Sequence, residues 1–282
     1  MSEPQQQWTE TIEAKHSLFD LKLGEVWRYK DLVYMFVKRD FVSGFKQTIL
    51  GPLWFFINPI FTTIVYLVVF GGIANLSTDG APKVLFYLAG VTLWNYFSSC
   101  LTGTSSTFTG NAGIFGKVYF PRLVTPISVV ISNLMRFGVQ FSLFLTAFLY
   151  YWFKGEVQPN LWLLATPILV ILMAGFALGM GMIFSALTTK YRDLQMLLGF
   201  GVSLYMYATP VIYPVSALPK FIQPYAAWNP LTGIFECFKY GWLGVGDFSP
   251  MMLMLSSVII FALLAIGTVV FNKVEKSFMD TV

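Results

Sequence analysis

Asn111-Ala112-Gly113-Ile114-Phe115-Gly116-Lys117-Val118-Tyr119-Phe120-Pro121-Arg122-Leu123-Val124-Thr125-Pro126 decides how this chain is read. The stretch breaks two long apolar runs with two glycines, the charges Lys117 and Arg122, and the prolines Pro121 and Pro126. If the flanking runs cross a membrane, it is a short structured cytoplasmic loop, placed to take force from a soluble partner.

The composition supports that condition. Of 282 residues, 56% are hydrophobic and 18% aromatic, while 11% are charged. Soluble domains carry about 25% charged residues, so the chain reads as a polytopic membrane protein. A net charge of +4 gives no reason to expect nucleic acid as a partner. Cys100 and Cys237 lie in apolar surroundings without metal-ligand spacing and are expected to pack, not to pair. The first fifty residues are polar to amphipathic, so the first apolar run is expected to serve as an uncleaved anchor.

Roughly 20 apolar residues cross the hydrocarbon, and six segments qualify: about Leu53–Ala74, Val84–Thr104, Leu123–Phe153, Leu161–Leu187, Met196–Pro214 and Met251–Asn272. The expected fold is therefore all-α and membrane-embedded, with six transmembrane helices. Residues 1–50 form a cytoplasmic N-terminal segment, 51–275 the transmembrane domain and 276–282 a cytoplasmic tail. Met1–Ser17 is polar and aperiodic. Within Leu18–Gly51, Val26, Tyr29, Val33, Phe36 and Val37 recur at helical spacing among charged residues. They predict an amphipathic interface helix with its apolar face in lipid, or else one packed on the protein's own cytoplasmic face. Pro210 and Pro214 break the end of the fifth span. Ser216–Ser249 is too polar to cross and reads as a pair of short re-entrant helices between the fifth and sixth spans.

Lys and Arg counts set the orientation. With the N-terminus inside, the inner segments hold Lys15, Lys22, Arg28, Lys30, Lys38, Arg39, Lys46, Lys117, Arg122, Lys190, Arg192, Lys273 and Lys276; the outer ones hold only Lys83, Lys154, Lys220 and Lys239. Both termini are then cytoplasmic, and so is Asn111–Pro126.

Several spans carry polar residues about one helical turn apart: Asn58, Thr62 and Tyr66; Asn95, Ser99, Thr102 and Ser106; Ser128, Ser132, Arg136 and Gln140. Such a face bonds a neighbouring helix or lines a wet path. Gly175 and Gly179 form a G-x-x-x-G contact face. Arg136 costs several kcal/mol if left unpaired in a span. Pairing with Glu236 is the favoured reading, and attraction of a phosphate or acidic sugar is the second. The aromatic residues, among them Phe55, Tyr66, Trp94, Tyr96, Tyr205 and Tyr207, are read either as core or as the lining of a polysaccharide path. No G-x-x-x-x-G-K-[ST] loop is present, so ATP is not bound in the P-loop manner. The sole histidine, His16, lies in the polar tail, and no metal-ligating cluster or nucleophile–base arrangement appears.

Arg39-Asp40-Phe41, the run Phe45-Lys46-Gln47-Thr48-Ile49-Leu50-Gly51-Pro52-Leu53-Trp54, and Pro59 resemble the start of type-2 ABC transporter permeases that export bacterial polysaccharides. Asn111, Lys117-Val118-Tyr119-Phe120-Pro121-Arg122 and Pro126 resemble that family's loop after the second span. Tyr191-Arg192-Asp193-Leu194, Thr209-Pro210-Val211-Ile212-Tyr213-Pro214, and Asn229-Pro230-Leu231 followed by Glu236 continue the likeness from about residue 25 to the C-terminus. The family exports O-antigen, teichoic acid and capsule chains.

The resemblance implies a homodimer in the bacterial cytoplasmic (inner) membrane above two copies of an ABC ATPase subunit. ATP and Mg would sit on that partner, leaving this chain with no cofactor of its own, and the substrate would be a polyprenyl-diphosphate-linked polysaccharide. Asn111, Phe115, Lys117, Tyr119, Phe120, Pro121 and Arg122 are then the coupling residues. Phe55, Asn58, Thr62, Tyr66, Trp94, Tyr96, Tyr205, Tyr207 and Arg136 are candidates for the substrate path. Arg28, Lys38, Arg39 and Lys46 are candidates for the lipid diphosphate, unless they only reflect the positive-inside bias. Pro210, Tyr213, Pro214, Trp228 and Glu236 are candidates for an outer gate. The competing readings are a type-2 permease for a drug or other lipid, a membrane-embedded transferase, and an ATP-free flippase.

Overall fold

The computed structural model describes residues 23–246 and 248–278. The polar start with His16, the Leu18–Lys22 part of the expected interface helix and the last four residues lie outside the described residues. Among the described residues every regular element is helical. The chain opens with α1 (Leu23–Arg28) and α2 (Lys30–Ser43), then α3 (Gly51–Ile73) and α4 (Lys83–Ser105). A short α5 (Thr107–Phe115) precedes α6 (Val124–Phe153), α7 (Leu161–Lys190) and α8 (Leu194–Tyr207). The small helices α9 (Gln223–Ala226) and α10 (Thr232–Leu243) lead to α11 (Pro250–Phe278).

All six expected apolar segments are helices, and five of them (α3, α4, α6, α7 and α11) are long and apolar enough to cross a membrane. The chain is a multi-pass membrane protein. The fifth segment in sequence differs from expectation. α8 has 14 residues, a rise of about 21 Å against roughly 30 Å of hydrocarbon. The expected continuation to Pro214 is irregular because Pro210 offers no amide and disfavours helix at the residue before it. The tail expected from residue 276 begins inside α11.

α4 is the axle of the fold. Most of its length is buried against α6 and α7, whereas α3 is largely bare. The expected glycine face joins α7 to α11. A Cβ on Gly179 would lie 2.8 Å from the Leu264 nitrogen, and the opposing Gly267 meets the Gly179 carbonyl. Leu264 and Gly267 complete a contact of which the sequence pattern displays one side.

Two aromatic-rich ends cap the bundle. At one, Val26 and Phe36 from the first helices join Phe108, Phe115, Phe120 and Phe271 in a single cluster, so both ends of the described chain share a side. At the other, the loop after α3 meets the segment after α8, and Asn160 before α7 meets α10. The apolar residues of α2 point inward. Phe36 and Val37 are buried, and Phe36 stacks edge-on to Phe120 at 5.8 Å. This corrects the expectation of an apolar face in lipid, because packing on α6 and the aromatic cluster buries the same side chains. The exposed apolar groups of α1 and α2 are Trp27, Tyr34 and Met35.

Gly179→Leu should drive α7 from α11 and lower stability by about 1–3 kcal/mol or more. Gly138→Leu, at a position where an added Cβ meets nothing within 4 Å, should leave the melting temperature in detergent unchanged. Equal melting of the two variants would refute the close contact.

Candidate functional site

Three regions of the molecule carry polar or exposed groups that packing alone does not require. The first is the loop after α4. α5 leaves α4 at a bend and ends in Phe115, which is buried with Phe108 and Phe120. Phe108 stacks on Phe271 at 4.6 Å, and Phe115 lies 5.6 Å from Phe120. The Arg122 guanidinium sits over the Phe115 ring at 4.5 Å and is almost wholly buried. Burial pushes its pKa below the ordinary arginine value, and the charge of Glu275 opposes that shift. Asn111 donates to the Thr107 carbonyl at 3.0 Å. The seven coupling candidates therefore divide. Phe115, Phe120, Pro121 and Arg122 build the inside of a rigid elbow, Asn111 braces it, and Lys117 and Tyr119 stand exposed on its tip with Gly116 and Val118.

The second region is the irregular chain after α8. Lys239 on α10 is buried, and its Nζ donates to the carbonyls of Pro210 at 2.5 Å and Tyr213 at 3.3 Å. The same ammonium lies 4.0 Å from the Phe86 ring centre. Glu236, one turn earlier and fully buried, accepts from the Val215 amide at 3.4 Å and places its charge on Lys239. Ser216 donates to the Asp79 carboxylate, 2.8 Å from both oxygens. Gly90 on α4 admits the Val211 carbonyl where a side chain would block it. Asn229 ties the segment together: it accepts from Tyr205 Oη at 2.6 Å and from the Leu231 amide at 2.9 Å, and donates to the Ala208 carbonyl. Among the outer-gate candidates, Pro210, Pro214 and Glu236 are buried, Tyr213 bonds the Tyr207 carbonyl, and Trp228 is exposed. Lys239 and Asn229 are absent from the sequence-based candidates; the signals that mark them are a lysine one turn from Glu236 and the Asn-Pro-Leu triplet.

The third region is a polar cavity of about 380 Å³ between α2, α4 and α6, lined by Asp40, Ser43, Ser99, Thr102, Ser132, Asn133 and Arg136 among others. Arg136 Nη2 donates to the Asp40 carbonyl at 2.7 Å and Nη1 to Asn133 Oδ1 at 3.3 Å, with the Phe55 ring centre 5.7 Å away. The expected pairing of Arg136 with Glu236 is thus corrected: Glu236 is held with Lys239 beneath the segment after α8, and Arg136 serves α2.

The remaining path candidates separate by burial. Trp94 and Tyr96 are core residues. Trp94, Phe97, Phe176 and Tyr205 pack as one group, with Phe97 stacked on Phe176 at 5.2 Å, and Tyr96 contacts Phe137 at 5.3 Å. Tyr66 donates to Met206 Sδ at 3.1 Å, linking α3 to α8. Asn58 and Tyr207 are exposed on those two helices, and Thr62 is partly so, its hydroxyl bonded to the Asn58 carbonyl. Arg28, Lys38, Arg39 and Lys46 are all exposed, with Arg39 paired to Asp40 at 2.8 Å. Cys100 and Cys237 are buried free thiols.

The molecule is thus a bundle of helices able to cross a membrane, with a packed elbow at one end and a clamped, broken apolar segment at the other. The model of the family described as ABC-2 type transporter matches residues 31–243, and the chain belongs to that family. It is 29% identical over 255 residues to the O-antigen export system permease protein RfbA of Klebsiella pneumoniae, covering 89% of this chain and 94% of that protein. It is 28% identical over 217 residues to the Myxococcus xanthus protein of the same description, covering 76% of this chain and 81% of that one. The polysialic acid transport protein KpsM of Escherichia coli is 25% identical over 202 residues, covering 70% of this chain and 76% of that protein.

Lys239→Met removes the cation that shares its buried site with Glu236, a change that costs about 3–5 kcal/mol. The variant should melt well below the wild type in detergent, and adding Glu236→Gln should recover part of the loss. An unchanged melting temperature for Lys239→Met would refute the clamp.

Proposed function

We propose that the chain is the permease subunit of an ATP-driven exporter of lipid-linked polysaccharide in the bacterial cytoplasmic membrane. It works as a homodimer with two copies of a separate ABC ATPase that holds ATP and Mg, and both termini face the cytoplasm. Two relatives named for O-antigen export and one named for polysialic acid transport support the polysaccharide class. The greater number of Lys and Arg on the elbow side supports the orientation. The bare outer faces of α3 and α8, with Phe61, Ile64 and Val65 and with Met196, Phe200 and Tyr207, suit a second copy.

The observation that carries the mechanism is the elbow. Its aromatic interior welds α5 to the start of α6 and to α11, while its tip, residues 116–119, presents Val118 and Tyr119 outward at 59% and 50% exposure. A soluble ATPase gripping that tip would move α4 and α6 as levers, because buried rings and Arg122 tie the tip to α5, which follows α4 directly, and to the start of α6. Basic Lys38, Arg39 and Lys46 on the same side would receive an anionic headgroup.

Phe115→Asp is unsuitable as a test of coupling, since it places a charge inside the elbow; Phe115→Ala alone should cost about 3–5 kcal/mol. Tyr119→Asp and Val118→Asp are the proper variants. Each should abolish polysaccharide export, read by immunoblot of surface polymer, while membrane insertion and melting temperature stay at wild-type values. Normal export in both would overturn the coupling role.

A further inference from the structure

The cavity between α2, α4 and α6 lies apart from both the elbow and the clamp. Its volume of about 380 Å³ falls within the range of small-molecule sites. Polar groups at such depth are normally bonded, and each exception calls for an explanation. Here there are two. Ser132 Oγ is buried with no hydrogen-bond partner, in a residue 2% exposed, and so is Arg136 Nε.

Charge points the same way. Arg136 makes no direct ion pair among the described residues: its bond to Asp40 is to the backbone carbonyl, and the carboxylate of Asp40, a residue that also lines the cavity and whose charge acts on Arg136, is paired with Arg39. Two bonds fix the guanidinium, to Asp40 and to Asn133, out of five available N–H donors. A fixed planar fork with free donors suits the paired oxygens of a phosphate. Ser132 beside it and Ser99 on the α4 wall add hydroxyls. Ser43 and Thr102 are exposed, as are Lys38 and Arg39 on α2.

We infer that this cavity seats the phosphate of a membrane lipid headgroup, with Arg136 and Ser132 as its direct ligands. The inference rests on the proposed function for the side of the membrane and for the lipid as cargo. It deepens that reading by naming where the headgroup phosphate binds.

The test uses the full chain in nanodiscs of phosphatidylcholine, with three probes: polyprenyl diphosphate, polyprenol of equal length, and inorganic diphosphate. Binding is read by native mass spectrometry and by competition. The wild type should bind the diphosphate lipid about tenfold or more tightly than the alcohol. Ser132→Ala and Arg136→Gln should each erase most of that preference, with Arg136→Lys between. Ser132→Ala touches none of the bonds that hold α2, so a loss there cannot be ascribed to a displaced helix.

Equal lipid binding by wild type and both variants, or no preference over the alcohol, would mean that the cavity holds only water and overturns the inference. Inorganic diphosphate binding as tightly as the lipid would make the ligand a free phosphate and overturn the lipid assignment. Export assays separate the two levels. If export needs this chain but survives Arg136→Gln and Ser132→Ala, the seat is wrong and the exporter reading stands. If the variants lose lipid binding but deletion of the chain leaves export intact, the seat stands and the exporter reading falls.

Discussion

Peptide groups at bilayer depth must find partners inside the protein, and in this fold the buried ammonium of Lys239 answers for the place where the rule is most strained. α8 stops short at Tyr207, and the carbonyls of Pro210 and Tyr213 have no following turn of helix to receive. Lys239 donates to both, while Glu236 takes the Val215 amide and balances the charge. The two side chains are three residues apart, so one turn of α10 presents donor and acceptor together. For this to work α10 must lie deep in the bundle. Gly241 meets the backbone of Trp162 and Leu163, and Gly233 meets that of Met252 and Leu253. Asn160 then bonds the Tyr240 carbonyl and fastens the start of α7 to the same helix. This end of the bundle is thus built around a break in one apolar segment.

What is legible in the sequence is what depends on length and period. Apolar runs near twenty residues locate α3, α4, α6, α7 and α11 closely, and small residues four apart locate the α7 side of its contact with α11. What is not legible is the choice of partner. Arg136 and Glu236 are the natural pair on charge alone, yet each finds a partner nearer in the fold, a backbone carbonyl in one case and a lysine on its own helix in the other. Aromatic residues pose the same difficulty. Trp94, Tyr96 and Tyr207 are alike in a sequence, but two belong to the core and one to the surface, and burial by neighbouring helices decides which. The apolar residues of α2 are legible as one face; which surface receives that face depends on Phe120, far along the chain.

α6 joins the elbow, the polar cavity and α2 to one another. Its first turn continues from Arg122 and the elbow, and further along the same face it carries Ser132, Asn133 and Arg136. Through Arg136 it holds the Asp40 carbonyl near the end of α2. α2 therefore rides on α6 and not freely in the interface. Gly44 follows directly, and a Cβ added there would come 2.9 Å from Arg136 Nη2, so this junction leaves little room for independent movement.

That linkage bears on how force would travel in the proposed cycle. A push on the tip at Val118 and Tyr119 reaches α6 through a cluster of stacked rings, and rings packed at 4.6 to 5.8 Å transmit displacement with little loss because packed interiors have low compressibility. α2 and the polar cavity move with α6. α3, by contrast, is the least buried of the crossing helices, held to the rest by Phe55 against Phe41, by the buried Pro59 and Thr63, and by Tyr66 against Tyr87 and Met206. A packed α4–α6–α7–α11 body carrying the proposed headgroup seat, beside a loosely held α3, would be suited to opening a path along α3 while the charged end of such a cargo stays bound.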